Sequence, residues 1–113
     1  MQYDYIVIGA GSAGCVVANR LTENGDTTVL LLEAGNPDTK PEIHIPSECL
    51  SLLGSEVDWA YFLEPEPYLN NRKIFCPRGK VLGGSSSINI MIYLRGNSHD
   101  YDHWQSLGNP GWS

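Results

Sequence analysis

The chain has 113 residues, 42% of them hydrophobic, and a formal charge of −6. That balance supports a packed core, and it disfavours nucleic acid or an anionic membrane surface as a partner, because both repel an acidic chain. The three cysteines, Cys15, Cys49 and Cys76, are odd in number and widely spaced; they form neither a disulfide framework nor a metal motif, and a reducing compartment, the cytoplasm, is expected. The first apolar run starts within three residues of Met1, so no signal or transit peptide is expected, and no run is long enough to cross a bilayer.

The run Tyr3-Asp4-Tyr5-Ile6-Val7-Ile8 reads as a buried strand. It runs into Gly9-Ala10-Gly11-Ser12-Ala13-Gly14 and then Cys15-Val16-Val17-Ala18-Asn19-Arg20-Leu21. Small or apolar residues at Ala13, Val17 and Leu21 have the four-residue spacing of one helix face. A second apolar strand, Thr28-Val29-Leu30-Leu31-Leu32, ends on Glu33. Strand, glycine turn, helix, strand and closing acid occur in the order that a Rossmann-like dinucleotide-binding βαβ unit requires. Gly9 allows the sharp turn, Gly11 lets a pyrophosphate approach the backbone, and Gly14 lets the helix lie close to the sheet. The helix N-terminus offers free N–H groups and a positive dipole end to phosphate. Glu33 is placed to accept both hydroxyls of an adenosine ribose and to repel a 2′-phosphate. Both strands are apolar throughout, so both faces of their sheet need cover. One clear helix cannot supply it, and the chain reads as the N-terminal piece of something longer.

Ala34-Gly35-Asn36-Pro37-Asp38 breaks the pattern, and Pro41 and Pro46 make the next segment irregular. Residues 47–54 suggest a short helix capped by Ser47 and stopped by Gly54. Residues 57–63 and 72–76 read as two strands of a hairpin around Pro65, Pro67, Asn70 and Asn71. His44 reads as a packed loop residue, and Trp59 and Tyr61 as packing residues first. Between Arg72 and Arg95 lie five basic residues and no acid; such a stretch in an acidic chain suits a bound anion of modest size.

Pro77-Arg78-Gly79-Lys80-Val81-Leu82-Gly83-Gly84-Ser85-Ser86-Ser87-Ile88-Asn89 is the second stretch that carries chemistry. Two glycines and three serines predict a compact turn and then a helix cap. The following residues 88–94 are ambiguous, since isoleucines favour a strand and the serine cap a helix. A buried helix is expected, with Ser85 and its first N–H groups forming a second anion or heteroatom site. His99 and His103 fall four apart on a further helix, but no third ligand recurs at a metal spacing, so no metal is expected.

With both motifs on the page, the chain resembles the glucose–methanol–choline family of FAD-dependent oxidoreductases, and most closely its choline dehydrogenase-like alcohol dehydrogenases, over essentially all 113 residues. The run from Asp4 to Gly14 is similar to the family's N-terminal fingerprint, and Leu32-Glu33-Ala34-Gly35 to its ribose-binding strand end. Gly79 to Asn89, continuing to Tyr93, Gly96 and Asp102, is similar to its first signature. The resemblance implies an α/β FAD-binding segment with a β-hairpin and following helices, incomplete without a C-terminal part and lacking the substrate domain. It implies FAD, with Ser12 and Ala13 at the pyrophosphate and Glu33 and Ala34 at the ribose. Val81, Ser85, Asn89, Ile90, Met91 and Ile92 would line the flavin half, and the basic stretch would accompany the diphosphate and the anionic reduced flavin. Some members attach the flavin through a histidine; the matching position here is Ile88, so FAD is expected to be non-covalent. The implied chemistry is oxidation of a small-molecule alcohol, with hydride passing to the flavin and then to an electron acceptor. The family's base is a histidine near the C-terminus of a much longer chain, and none of His44, His99 and His103 matches it. Two other readings remain: an inert fragment that binds FAD weakly or does not fold alone, and an NAD-dependent domain, which the Gly83-Gly84-Ser85 signature argues against.

Overall fold

The computed structural model describes residues 2–113. It is mixed α/β and begins with the expected unit: strand β1 (Tyr5–Ile8), helix α1 (Ser12–Leu21) and strand β2 (Val29–Leu32). β1 and β2 pair in parallel, Tyr5 opposite Val29 through Ile8 opposite Leu32. The register is pinned where the strands begin. Asp4 Oδ2 accepts the Thr28 backbone N–H at 2.8 Å and the Thr28 hydroxyl at 2.7 Å, and those bonds, the backbone one first, hold the Asp4 carboxyl below the usual carboxylate range.

α1 turns a different face to the sheet from the one its spacing suggests. Gly14, Ala18 and Leu21 are half-buried, whereas Val17 is 47% exposed. The reason is Gly14: a Cβ there would run into Gly9 O and come within 3.4 Å of Val7 Cγ1. The helix approaches the strand and its turn most closely where there is no side chain, and that contact fixes its rotation.

The second expected unit is also present in shorter form. Strands β3 (Tyr61–Phe62) and β4 (Phe75–Cys76) pair antiparallel. Isolated bridges continue the hairpin to Asp58 opposite Gly79 at its base and Glu66 opposite Arg72 near its tip. The short helix expected over 47–54 is a 3-10 helix, Pro46–Leu52, preceded by another, Pro41–His44. Pro46, not Ser47, sets its start, because proline occupies the first helical position and Ile45 the cap. The last element is α2 (Ser98–Ser106), capped by Asn97, whose side-chain oxygen accepts the His99 N–H at 3.0 Å.

The helix expected over 88–94 does not form, and this expectation is corrected. Gly84–Ser86 makes one 3-10 turn, and no helix or strand follows until Ser98. Asn89 redirects the chain: its amide nitrogen donates to Ser86 O at 2.7 Å and its oxygen accepts the Met91 N–H at 2.6 Å. Met91 takes a left-handed φ of 55°. An asparagine that bonds its own neighbours in this way competes directly with helix formation.

The core is small. Leu52, Val57, Val81 and Ile88 form one buried cluster, with Ile43 against it. β1 is covered on one side by α1 but remains open elsewhere, leaving Ile8 85% exposed. The radius of gyration is 18.5 Å, against about 13 Å for a closed domain of this length. The outline is thus more extended than that of a closed domain, and the apolar strands keep an open face.

Candidate cofactor site

The two glycine-rich stretches, far apart in sequence, meet. Gly83 N–H donates to Ala10 O at 2.8 Å, Leu82 N–H to Asn36 O at 3.0 Å, and the Ser12 and Ser86 hydroxyls bond each other. A Cβ on Gly84 would lie 2.8 Å from Gly11 Cα, so the backbones approach too closely for a side chain at residue 84. Gly35 and Gly79 are confined in the same way, against the backbones of Lys80–Val81 and Gly84–Ser85. The outcome is a cleft of about 800 Å³. The first turn, Gly9, Gly11, Ser12, Ala13 and Gly14, lines it. Leu32, Glu33 and Ala34 from the end of β2 and Gly79, Gly84 and Ser85 from the second glycine-rich stretch line it as well.

α1 points its N-terminus into this cleft. Its cap, Gly11, provides no side-chain hydrogen bond to the first turn, and the opening N–H groups of a helix have no intrahelical acceptor. Gly9 has a φ of 95°, which only glycine takes without strain. Gly11 differs: its φ of −82° is open to any residue, and a Cβ there would meet only Gly84 Cα, at 3.9 Å. Neither conformation nor packing within the protein requires glycine at 11. An added Cβ would instead sit on the cleft wall, so this position fits a ligand that comes up against the backbone.

Glu33 closes the cleft and also braces it. Its Oε2 accepts the Ala10 N–H at 2.7 Å and its Oε1 the Gly35 N–H at 2.9 Å. The sequence placed an acid at the strand end, but gave no sign that it ties the glycine turn to the turn after β2. Each carboxylate oxygen keeps a second lone pair for a ligand hydroxyl.

Of the other residues expected at the site, Ser85 lines the cleft, with its hydroxyl accepting the Gly79 N–H at 3.0 Å. It pins its own loop and does not cap a helix, so the second helix-end site expected at Ser85 is absent. Asn89 and Ile90 line a smaller cavity of about 240 Å³ with Leu53, Pro77, Ile88 and again Ser85. Ser85 is thus common to both. Val81 is fully buried in the core, and Met91 and Ile92 are exposed and line neither cavity.

The cleft is also lined by Trp59 and Tyr61, which the sequence offered first as packing residues, and by Arg78 of the basic stretch. The Trp59 and Tyr61 rings stack with centroids 5.7 Å apart, and Lys80 Nζ lies 4.7 Å from the Trp59 ring centroid. The alternation of Trp59 with Tyr61 and their hairpin were visible in the sequence; that both line the same cleft as the glycine turns was not. Of the basic stretch, Arg78 reaches the cleft. No histidine lines it. His44 Nε2 lies 2.6 Å from Asp38 O, in the 3-10 segment, and among the described residues no three side chains are grouped to hold a metal. No helix among the described residues is long and apolar enough to cross a membrane.

A parallel βαβ unit, a helix N-terminus over an open glycine backbone and an acid at the end of the second strand define a dinucleotide-binding α/β protein. Comparison with known proteins narrows the class: the GMC oxidoreductase profile matches residues 3–113, and the chain belongs to that family. It is 56% identical, along its whole length, to the oxygen-dependent choline dehydrogenase of Yersinia pestis (strain Pestoides F), and 50% identical to that of Sinorhizobium fredii. Among solved structures it is similar to pyridoxine 4-oxidase from Mesorbium loti (TM-score 0.77, 37% identity, 99% of this chain and 22% of that one). It is also similar to a formate oxidase (TM-score 0.74, 38% identity, 98% and 20%). The chain spans about a fifth of the length of the curated relatives it matches, 21% of each of the two dehydrogenases.

Proposed function

We propose that the chain is the FAD-binding portion of a flavin-dependent oxidoreductase that acts on CH–OH groups of alcohols, as choline dehydrogenase does. One observation carries the reading: the two glycine-rich turns and Glu33 line a single cleft, and Gly11 there serves no need of the protein's own packing. The N–H groups opening α1 would hold the diphosphate, with Ser12 and Ala13 beside it. Glu33 and Ala34 would receive the adenosine ribose, and Ser85 would stand toward the ring system, with Asn89 and Ile90 in the adjoining cavity. Arg78 would add a positive charge, and Trp59 a flat face, to the lining of the same cleft. Bound FAD supplies a two-electron acceptor for the hydride of the alcohol carbon.

Binding is reversible in this reading, because Ile88 has no nucleophilic atom and is packed in the core. The chain contributes seating for the cofactor and no base: the titratable side chains lining the cleft are Glu33, Tyr61 and Arg78, and Glu33 is engaged by two backbone N–H groups. The open face of β1 and the extended outline favour a second, narrower reading, in which these residues alone bind FAD weakly and oxidation requires further polypeptide. Two measurements on the protein test the proposal. Incubation with FAD followed by gel filtration is expected to leave visible flavin absorbance with the protein; its absence would remove the flavin assignment for the isolated chain. Dye reduction that depends on added alcohol is expected only when the remaining polypeptide is present, and turnover by residues 1–113 alone would show that a base lies within them.

A further inference from the structure

Asp58 is a buried carboxylate, 7% exposed, that forms no salt bridge among the described residues. Its charge is met by backbone instead. Oδ1 accepts two N–H groups, from Ala60 at 3.0 Å and from Arg78 at 2.8 Å, and Oδ2 accepts one, from Gly54 at 2.9 Å. It does not line the cleft, but the residues on either side of its bonds do. Trp59 lies between Asp58 and Ala60, and Arg78 is bonded to Asp58 directly, while Trp59 N–H donates to Arg78 O at 2.8 Å. Ala60 holds a left-handed φ of 50°, which an alanine rarely takes. The Oδ1 bond to its N–H keeps it there, and the turn it makes separates Trp59 from Tyr61.

We infer that Asp58 is a positioning residue for the cofactor. Oδ1 sets the Trp59 and Arg78 part of the cleft lining by fixing the two residues across the hairpin base, whereas Oδ2 ties down the Gly54 loop and affects stability alone. The inference rests on the flavin reading above. It assigns the two oxygens of one carboxylate to separable tasks, and asparagine separates them. The amide oxygen of Asp58→Asn will stay on the side where it accepts two N–H groups, leaving its NH2 against the single Gly54 N–H. Asp58→Ala removes both arms.

The test is FAD titration of the wild type, D58N and D58A, at a temperature where far-UV circular dichroism shows each to be folded. Near-UV circular dichroism of each apoprotein, taken as the difference from its own Trp59→Phe counterpart so that the Tyr101–Trp104–Trp112 cluster cancels, reports the Trp59–Tyr61 stack. D58A is expected to weaken FAD binding about tenfold or more and to lose the aromatic signal. D58N is expected to stay within about threefold of wild type and to keep that signal, although its thermal midpoint falls. Equal weakening in both variants, or wild-type affinity in D58A, overturns the inference. If D58A does not fold, D58N decides alone: retained affinity at a lowered midpoint supports the division of tasks, and a tenfold loss overturns it. A wild-type protein that takes up no FAD would instead overturn the flavin reading, and the near-UV comparison would still show whether Asp58 sets the aromatic wall.

Discussion

Two glycines three residues apart should respond to the same substitution in opposite ways. Gly14→Ala adds a methyl in a helix, where alanine is favoured over glycine by about 1 kcal/mol. That gain is overridden, because the methyl collides with Gly9 O and lies 3.0 Å from Gly9 C. Carbonyl and helix must separate, and overpacking of this kind costs about 1–3 kcal/mol or more, so a net loss of stability is expected. Gly11→Ala meets no such obstacle, since among the described residues, its chain neighbours aside, the one atom within 4 Å of the new methyl is Gly84 Cα at 3.9 Å, and the φ of −82° suits any residue. Alanine's poorer standing as a helix cap and its smaller unfolded-state entropy offset each other to within about 1 kcal/mol. The new methyl stands on the cleft wall, however, where it would push a diphosphate off the helix end. Losing one charge-assisted N–H bond costs about 1.5–3 kcal/mol, or roughly ten- to hundredfold in Kd. Thermal melts of the apoprotein and FAD titration by flavin fluorescence separate the two effects. Gly11→Ala is expected to melt close to wild type and bind poorly, while Gly14→Ala melts early. A Gly11→Ala protein that binds FAD as wild type does would refute the placement of the diphosphate. One that melts as early as Gly14→Ala would refute the claim that Gly11 serves the ligand and not the fold.

Glu33→Gln turns an amide NH2 toward either the Ala10 or the Gly35 N–H, and should cost about 1–3 kcal/mol in a denaturant melt as well as weakening FAD binding. Unchanged stability would mean that the carboxylate does not brace the turn. Burial is the largest single influence on Asp58 and pushes its pKa up, but the backbone N–H groups of Gly54, Ala60 and Arg78 together hold it below the usual carboxylate value. The unfolded chain therefore takes up this proton first, near pH 4. The contribution is complete above about pH 5 and is lost as pH falls through the ordinary carboxylate range and then through the lower folded value. The Tm of wild type should drop over that interval and that of D58N should drop less; equal slopes would contradict the buried, backbone-held carboxylate. Acid precipitation of the FAD-loaded protein should release all yellow colour to the supernatant, and colour remaining in the pellet would show a covalent link.

The parallel unit was legible because every signal in it is local. Two apolar runs, a glycine turn and Glu33 lie within 33 residues, and each constrains the backbone of its own neighbourhood. The hairpin was legible for a similar reason, although its ladder is shorter than the apolar runs at either side. Residues 88–94 were misread because a serine cap and a run of isoleucines give opposite local preferences, and the decision fell to the hydrogen bonds of Asn89 with Ser86 and Met91. The face of α1 was misread because its rotation is set by the approach of Gly14 to Gly9, a contact between elements that hydrophobic spacing does not encode.

By itself, then, the sequence determined that a glycine turn and a helix lie between two apolar strands, the second ending at an acid, since conformational freedom at glycine and continuous apolar runs act within a few residues. Only the tertiary structure decided that Gly83 and Gly84 pack against Ala10 and Gly11, that Trp59 and Arg78 line the same cleft, and that Asp58 accepts the Arg78 N–H. These contacts join residues up to about seventy positions apart, some through backbone groups that every residue carries and others through one carboxylate or one missing side chain, so they leave no periodic pattern in the order of the residues and exist only once the chain has folded.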